Sequence, residues 1–371
     1  MQNSIIKSLK SSINQETLIV FSDKEKCIGL YLNDTRNEYF ELVIDVKIEI
    51  DGTIEEYILL KKDDLICIAD GDILLFRPNG TIRKMYNSKS EDNVLFVTEQ
   101  CNNYCLMCSQ PPRKKNDIDY FFNLNSKLID LLPNNLNRLG ISGGEPTLLK
   151  GKLLILLEKI GKKLPKTAIH LLSNGKYFDD INFVKLISDI DLKDFVIGIP
   201  LHSDFYKDHD LIAQSEDSYN RTLKGLYNLA RFNLNIELRI VINKINYSRL
   251  YQISNYIFHN LPFVCHVAFM GMEYTGLVPK NNKEIWIDQT EYNIQLKSAV
   301  LNLASWGMNV SVFNLPLCLI DKALYPYARK SISDWKVEYF EQCNECIIKN
   351  DCGGDFGTSI KHSENIIPYL I

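Results

Sequence analysis

A chain of 371 residues with 46% apolar and 24% charged side chains can bury a core in two or three domains, or in one α/β barrel with attachments, which excludes global disorder. Lys and Arg number 42 and Asp and Glu 46, leaving a net charge of −4; non-specific binding to nucleic acid or to an anionic membrane needs a basic excess and is not expected. Apolar stretches such as residues 261–272 carry Pro262 and His266 and are too short to span a bilayer, and residues 1–10 hold no apolar signal core, so the expected compartment is cytoplasmic.

Residues 1–93 read as a small β-rich N-terminal domain. Residues 39–50 and 54–60 are rich in β-branched and aromatic side chains around an Asp51-Gly52 turn, and Asp70-Gly71 and Asn79-Gly80 bracket a further strand at 73–76. The polar run 88–93 reads as a linker. From Val94 onward, strands alternate with helical stretches. The expected strands are 94–97, 138–142, 168–172, 195–201, 236–242 and 265–270; the expected helices are 124–132, 150–163, 181–188, 219–233 and 247–260. Such alternation makes parallel βα units, in an open sheet or a partial barrel, and both architectures place ligand chemistry at the C-terminal strand ends.

Ten cysteines carry most of the chemical information. In a cytoplasmic chain, clustered cysteines read as metal ligands or redox groups rather than disulfides. Cys101, Cys105 and Cys108 form a C-x3-C-x2-C run after the first barrel strand. Cys343, Cys346 and Cys352 form a C-x2-C-x5-C run near the C-terminus, with Cys318 upstream. Cys27, Cys67 and Cys265 stand singly in apolar or strand-like surroundings and read as buried structural thiols. Three thiolates on a four-iron cubane leave one iron open, whereas zinc asks for four ligands and no His lies near the first run. The four tail cysteines suit either a second iron–sulfur cluster or a structural zinc.

Gly143-Gly144-Glu145-Pro146 follows the second barrel strand and Ser173-Asn174-Gly175 the third, so these motifs and the first cysteine run belong to one face of the sheet. The fifth strand alternates: Ile236, Leu238, Ile240 and Ile242 are apolar, while Glu237 and Arg239 share the opposite face. Those two charges either satisfy each other or hold a charged ligand, for which Arg239 suits a carboxylate. Arg113-Lys114-Lys115 reads as a solvated loop, with docking of an acidic substrate the alternative; His170 and His202 read as ordinary buried histidines.

The run Cys101-Asn-Asn-Tyr-Cys105-Leu-Met-Cys108 followed by Gly143-Gly144-Glu145-Pro146 resembles the radical S-adenosylmethionine (SAM) superfamily over about residues 94–275. Residues 97–112, and the stretch 328–335 leading into the tail cysteines, are similar to the radical SAM maturase of the His-Xaa-Ser peptide system. That resemblance implies a partial (βα)6 TIM-like barrel over 94–280 and a cysteine-rich extension over 281–371. It implies a [4Fe–4S] cluster on Cys101, Cys105 and Cys108, with SAM chelated by its open iron. Met107 stands where the superfamily usually has an aromatic residue beside the adenine, and a thioether can still pack on a ring. Glu145 would accept from the methionine ammonium, with Gly143 and Gly144 permitting close approach. Ser173 and Asn174 would face the ribose or carboxylate, Arg239 would bind the carboxylate, and Gly271 lies loosely near the adenine. Cys318, Cys343, Cys346 and Cys352 would hold an auxiliary [4Fe–4S] cluster; Phe356 stands where a fuller pattern would have a further cysteine. The implied enzyme modifies a ribosomally made precursor peptide, with an electron donor such as flavodoxin or ferredoxin and a second radical SAM maturase as partners. Apart from the resemblance, the β-rich character of residues 1–93 suits docking of that peptide by strand addition to an open edge. A radical SAM reaction on a small metabolite and a non-catalytic metal-binding scaffold are the other readings.

Overall fold

The computed structural model describes residues 68–370 other than 78 and 331–335, and the backbone of five short strands nearer the N-terminus. Those five are β1 (Ile5–Lys7), β2 (Lys10–Ser11), β3 (Thr17–Val20), β4 (Val43–Ile44) and β5 (Ile58–Leu59). With β6 (Ile73–Phe76) and β7 (Thr81–Tyr86) they form a four-stranded sheet ordered β1-β7-β6-β3 and a three-stranded sheet ordered β2-β5-β4. The hairpin expected between 39–50 and 54–60 lies outside the described residues except for β4 and β5, which pair antiparallel with Val43 opposite Leu59. Cys27 and Cys67 also lie outside them.

An eight-stranded parallel sheet dominates the rest. It runs in chain order through β8 (Asn93–Phe96), β9 (Arg138–Ser142), β10 (Ala168–Leu172), β11 (Phe195–Pro200), β12 (Asn235–Val241), β13 (His266–Met270), β14 (Val310–Phe313) and β15 (Ala328–Arg329). Unbroken chain order is what successive βα units give, and it makes a partial TIM-like barrel. The six expected strands are all present, and β14 and β15 extend the row beyond the expected six. The connecting helices are α1 (Ile118–Leu131), α2 (Gly151–Lys163), α3 (Ile181–Ser188), α4 (Tyr206–Ala213), α5 (Ser218–Arg231) and α6 (Leu250–Asn260), followed by the single turn α7 (Asn282–Ile285) and by α8 (Asn293–Ser305).

Local chemistry explains these elements. In α2, Leu153, Leu156, Leu157 and Ile160 recur at helical spacing and are buried, while Lys162 and Lys163 sit in the last turn against the helix dipole. The Asp180 side chain caps α3 by accepting from the Asn182 N–H. On β12, Ile236, Leu238, Ile240 and Ile242 are wholly buried beneath the helices, which turns Glu237 and Arg239 inward.

Three expectations need correction. Cys265 is exposed: it precedes β13 and its thiol donates to the Ile236 carbonyl at 3.2 Å, so it belongs to the strand's rim and not to the core. The 88–93 segment is an ordered turn rather than a loose linker, because Asn93 and Asp72 hold it through bonds to Asn87 and Ser88. The β6–β7 hairpin then packs Leu75 against Phe121 and Leu124 of α1, while Ile73 and Tyr86 join the barrel core. Finally, α4 and α8 went unrecognised. In α4, charged and apolar residues are too interleaved for a clear helical stripe, and tertiary packing decided the outcome.

Candidate active site

The loop from β8 to α1 carries Cys101, Cys105 and Cys108. Its neck is laced shut. The Asp117 carboxylate accepts from the Thr98 hydroxyl at 2.6 Å and the Glu99 N–H at 2.8 Å, and the Arg113 N–H donates to the Glu99 carbonyl at 2.9 Å. Beyond the neck, Tyr104 and Leu106 donate their N–H groups to the Ala213 and Ile212 carbonyls at the end of α4, at 3.0 and 2.9 Å. Leu277 N–H donates to the Cys108 carbonyl at 2.9 Å, and a Cβ on Gly276 would stand 2.2 Å from that oxygen. Gly276 also has φ +60°, so both geometry and space demand glycine there.

The Gly143–Glu145 segment packs on this loop. Gly144 donates to the Thr98 carbonyl and Glu145 to the Gln100 carbonyl, each at 2.7 Å. A Cβ on Gly144 would meet the Gln100 carbonyl at 2.1 Å, and one on Gly143 the Thr98 carbonyl at 2.7 Å. The close approach these glycines make here is to the backbone that delivers Cys101.

Glu145 is wholly buried. Its Oε1 accepts from the Thr147 N–H (3.0 Å), the Thr147 hydroxyl (2.6 Å) and the Ser173 hydroxyl (2.7 Å), and its Oε2 from the Asn174 N–H (2.6 Å). The carboxylate thus ties the ends of β9 and β10 with four donors from the chain itself, a full set for a buried anion. Asn174 continues the chain of contacts: its amide donates to the Asn102 side chain at 2.6 Å and lies 3.9 Å from the Cys101 sulfur. Cys101, Glu145, Ser173 and Asn174, four of the expected residues, therefore form one connected unit.

Burial pushes the Cys101 thiol up to about 11, helped by Glu145, and the Cys105 thiol up to about 12, helped by its two neighbouring cysteines. Burial also raises Cys108, whose thiol donates to the Gln110 carbonyl at 3.0 Å. The three sulfurs feel each other's charge, but among the described residues no three His, Cys, Asp or Glu side chains are grouped as a site for a metal ion. Met107 packs with Leu106 against a small apolar cluster of Ile212, Met272, Val278 and Ile285. Gly271 donates to the Phe313 carbonyl at 3.0 Å, and a Cβ on it would stand 2.5 Å from the Asn314 carbonyl.

Arg239 has an internal partner. It donates to Glu237 Oε1 at 3.0 Å and to the Met270 sulfur at 3.3 Å. Glu237 Oε2 meets His266 Nδ1 at 2.8 Å, His266 Nε2 meets the Ser311 hydroxyl at 3.0 Å, and His170 approaches Glu237 at 3.5 Å. Burial by itself would raise the Glu237 carboxyl, but the His266 hydrogen bond and the nearby positive groups outweigh it and hold it at about 2. Burial pushes His170 down to about 4. Mutual satisfaction of Glu237 and Arg239 is thus realised, within a polar network that sequence alternation could place inward but could not complete.

At the other end, Cys318, Cys343, Cys346 and Cys352 line one small pocket together with Tyr339, Phe340 and Tyr369. The Cys352 sulfur accepts from the Leu317 N–H at 3.3 Å and from the Gly354 N–H at 3.4 Å. The structure thereby brings Cys318 to its three partners across a long sequence gap.

A partial α/β barrel with three thiols, a glycine-rich turn and a Ser-Asn-Gly turn knit together at its strand ends defines the class of protein. The Radical SAM superfamily model matches residues 95–257 of this chain, from β8 into α6. No curated protein matches the chain. Among solved structures, Streptococcus suis SuiB bound to S-adenosylmethionine is 14% identical with a TM-score of 0.49, over 70% of this chain and 55% of that one. Native anSMEcpe with bound AdoMet and Kp18Cys peptide is 14% identical with a TM-score of 0.49, over 75% of this chain and 91% of that one. HydG, a maturase of the [FeFe]-hydrogenase, is 9% identical with a TM-score of 0.45, over 60% of this chain and 50% of that one. The chain spans about half the length of the SuiB structures it matches. Among the described residues no helix is long and apolar enough to cross a membrane.

Proposed function

We propose that the chain is a radical SAM enzyme that modifies a ribosomally made peptide, with Cys101, Cys105 and Cys108 as ligands of a [4Fe–4S] cluster. The donor set fits that group: three thiols on one loop, largely withdrawn from water, while the loop's carboxylates Glu99 and Asp117 are taken up by Arg113 and by Thr98. Such a cluster with S-adenosylmethionine supplies hydrogen-atom abstraction through reductive cleavage of the sulfonium. The chain's own residues position and enclose. The Asp117 neck and the α4 carbonyls fix the thiol-bearing backbone before any metal arrives. Glu145, Ser173 and Asn174 hold the adjoining strand ends in register with it. Met107 offers a polarizable surface beside the loop. Glu145 and Arg239 would reach the methionine end of SAM only by sharing or exchanging their present partners, and Arg239 has N–H groups to share, since five donors exist on a guanidinium.

The observation that carries the reading is the connection of Cys101 through Asn174 to Glu145, which joins the three strand ends that bear the motifs. The finer reading, a peptide of the His-Xaa-Ser type, is supported by the likeness of residues 97–112 and of the tail to that maturase family. The four cysteines on one cavity support an auxiliary cluster there. An electron donor of the flavodoxin or ferredoxin kind and a second maturase are the proposed partners. Anaerobic reconstitution tests the reading: about eight irons per chain and release of 5′-deoxyadenosine are expected, and about four irons would leave the tail to zinc. A small-metabolite enzyme would cleave SAM equally well but show no turnover with any His-Xaa-Ser peptide.

A further inference from the structure

Lys176, the residue after the Ser173-Asn174-Gly175 turn, is buried, with only 3% of its surface exposed. Its ammonium donates to the Asn102 carbonyl at 2.8 Å and to the Ser215 hydroxyl at 2.8 Å. Both partners are neutral. Among the described residues no ion pair to a carboxylate is formed by it: the nearby Asp179 serves Arg221, Asp204 serves Arg249, and Glu145 is enclosed by Thr147, Ser173 and Asn174. Burial and the Arg221 guanidinium, itself paired with Asp179, lower the lysine's pKa, while the charges of Cys101, Glu145 and Cys105 act to raise it, so the ammonium lies within electrostatic reach of two of the three thiols.

A buried ammonium held only by neutral acceptors is costly unless a negative group faces it. His209 of α4 lies within electrostatic reach of Lys176 and tilts against the buried His202 with ring centroids 5.0 Å apart; burial lowers both imidazoles, His209 to about 4, so near neutral pH neither is charged and Lys176 is the cation that touches the Cys101–Cys105 turn. Asn102, which receives that cation, adjoins Cys101 in the chain and also accepts from Asn174.

We propose that Lys176 is a positioning residue for the loop metal group: its ammonium grips the turn at the Asn102 carbonyl and is the counter-charge for the thiolate-bound cluster, favouring the reduced, more negative state. The inference rests on the cluster reading above. Loss of the charge lowers the reduction potential, because the added electron no longer meets a nearby cation in a poorly screened interior. A single charge at this range changes the ratio of reduced to oxidised cluster at fixed poise by roughly tenfold.

The test compares wild type with Lys176→Met, Lys176→Gln and Lys176→Arg in the full chain, reconstituted anaerobically. Iron and sulfide are counted, and the cluster is titrated with titanium(III) citrate under electron paramagnetic resonance. The tail cluster's contribution is removed by Cys343→Ala/Cys346→Ala/Cys352→Ala in every sample. The expected result is full iron in Lys176→Gln and Lys176→Arg, a more negative potential in the two neutral variants, and a wild-type potential in Lys176→Arg. Gln keeps a donor for Asn102 without the charge, so it separates the hydrogen bond from the electrostatics even if the Met variant fails to fold. An unchanged potential in Lys176→Gln, or an Arg variant no better than Gln, overturns the inference while the cluster reading stands. A wild-type chain that takes up no iron and sulfide at the loop overturns both.

Discussion

The two cysteine groups of this chain are built in opposite ways. The loop group hangs from regular structure: backbone bonds from α4, the Asp117 neck and the glycine-rich segment fix its path, and an eight-stranded sheet stands beneath. The tail group is carried by short 3-10 turns at 341–345 and 349–351 and the two-residue pair β16 (Val337–Glu338) and β17 (Asp355–Phe356). The lesson is that a group hung from regular structure is preorganised by the fold, whereas one carried by little regular structure depends on what it binds for its shape.

The largest effect should come from removing the thiols. Cys101→Ala/Cys105→Ala/Cys108→Ala should abolish 5′-deoxyadenosine release while leaving far-UV circular dichroism unchanged, since the backbone bonds that tie the loop to α4, to the Gly144–Glu145 turn and to Leu277 do not use sulfur. Cys343→Ala/Cys346→Ala/Cys352→Ala should retain SAM cleavage and instead open the tail to protease. If the loop variant unfolded and the tail variant did not, the contrast between the two sites would be reversed.

Metal removal sharpens the same contrast. Treatment with an iron chelator should increase hydrogen exchange across 336–369 and leave the amides of Val97, Tyr104 and Leu106 protected, because these donate to the Ser142, Ala213 and Ile212 carbonyls without metal.

Glycine substitution comes next. Gly144→Ala would push a methyl group into the Gln100 backbone, and neither strand end can move away, so a loss of about 1–3 kcal/mol is expected together with loss of loop iron. Gly354→Ala meets the Val337 side chain at 2.6 Å and has φ +65°, at a cost of about 1–2 kcal/mol confined to the tail. Iron counts on the two variants would show whether each glycine serves only its own site.

Acid sensitivity acts on the barrel as a whole rather than on either cysteine site. Burial holds His170 and His209 down at about 4, below the ordinary 6.5, so the unfolded chain binds the extra protons first. Their contribution to stability is full above pH 6.5 and lost as the pH falls toward 4, about 2 kcal/mol for each at pH 5. In the tail, burial raises the Asp355 carboxyl, so acidification relieves rather than burdens it. Denaturant melts at pH 7 and pH 5 should show the barrel weakening, and His209→Gln should flatten that dependence.

Much of the barrel was legible because parallel βα units announce themselves by period: strands such as Ala168–Leu172 and helices such as Ile181–Ser188 follow the pattern closely. The extra strands β14 and β15 were not, since a strand of four residues or two leaves too little pattern, and Cys265 misled because a thiol at a strand's start looks apolar in sequence. The primary structure by itself settled the spacing of the thiols and the order of the motifs on one face, because both are properties of chain distance and alternation. Only the folded chain decided that Glu145 is enclosed by four donors, that Cys318 joins the other tail cysteines on one cavity, and that Lys176 lies buried beneath the loop. The physical reason is that burial and electrostatic environment are set by neighbours distant in the chain, and a lysine after a turn carries no local mark of the carbonyl that will cover it.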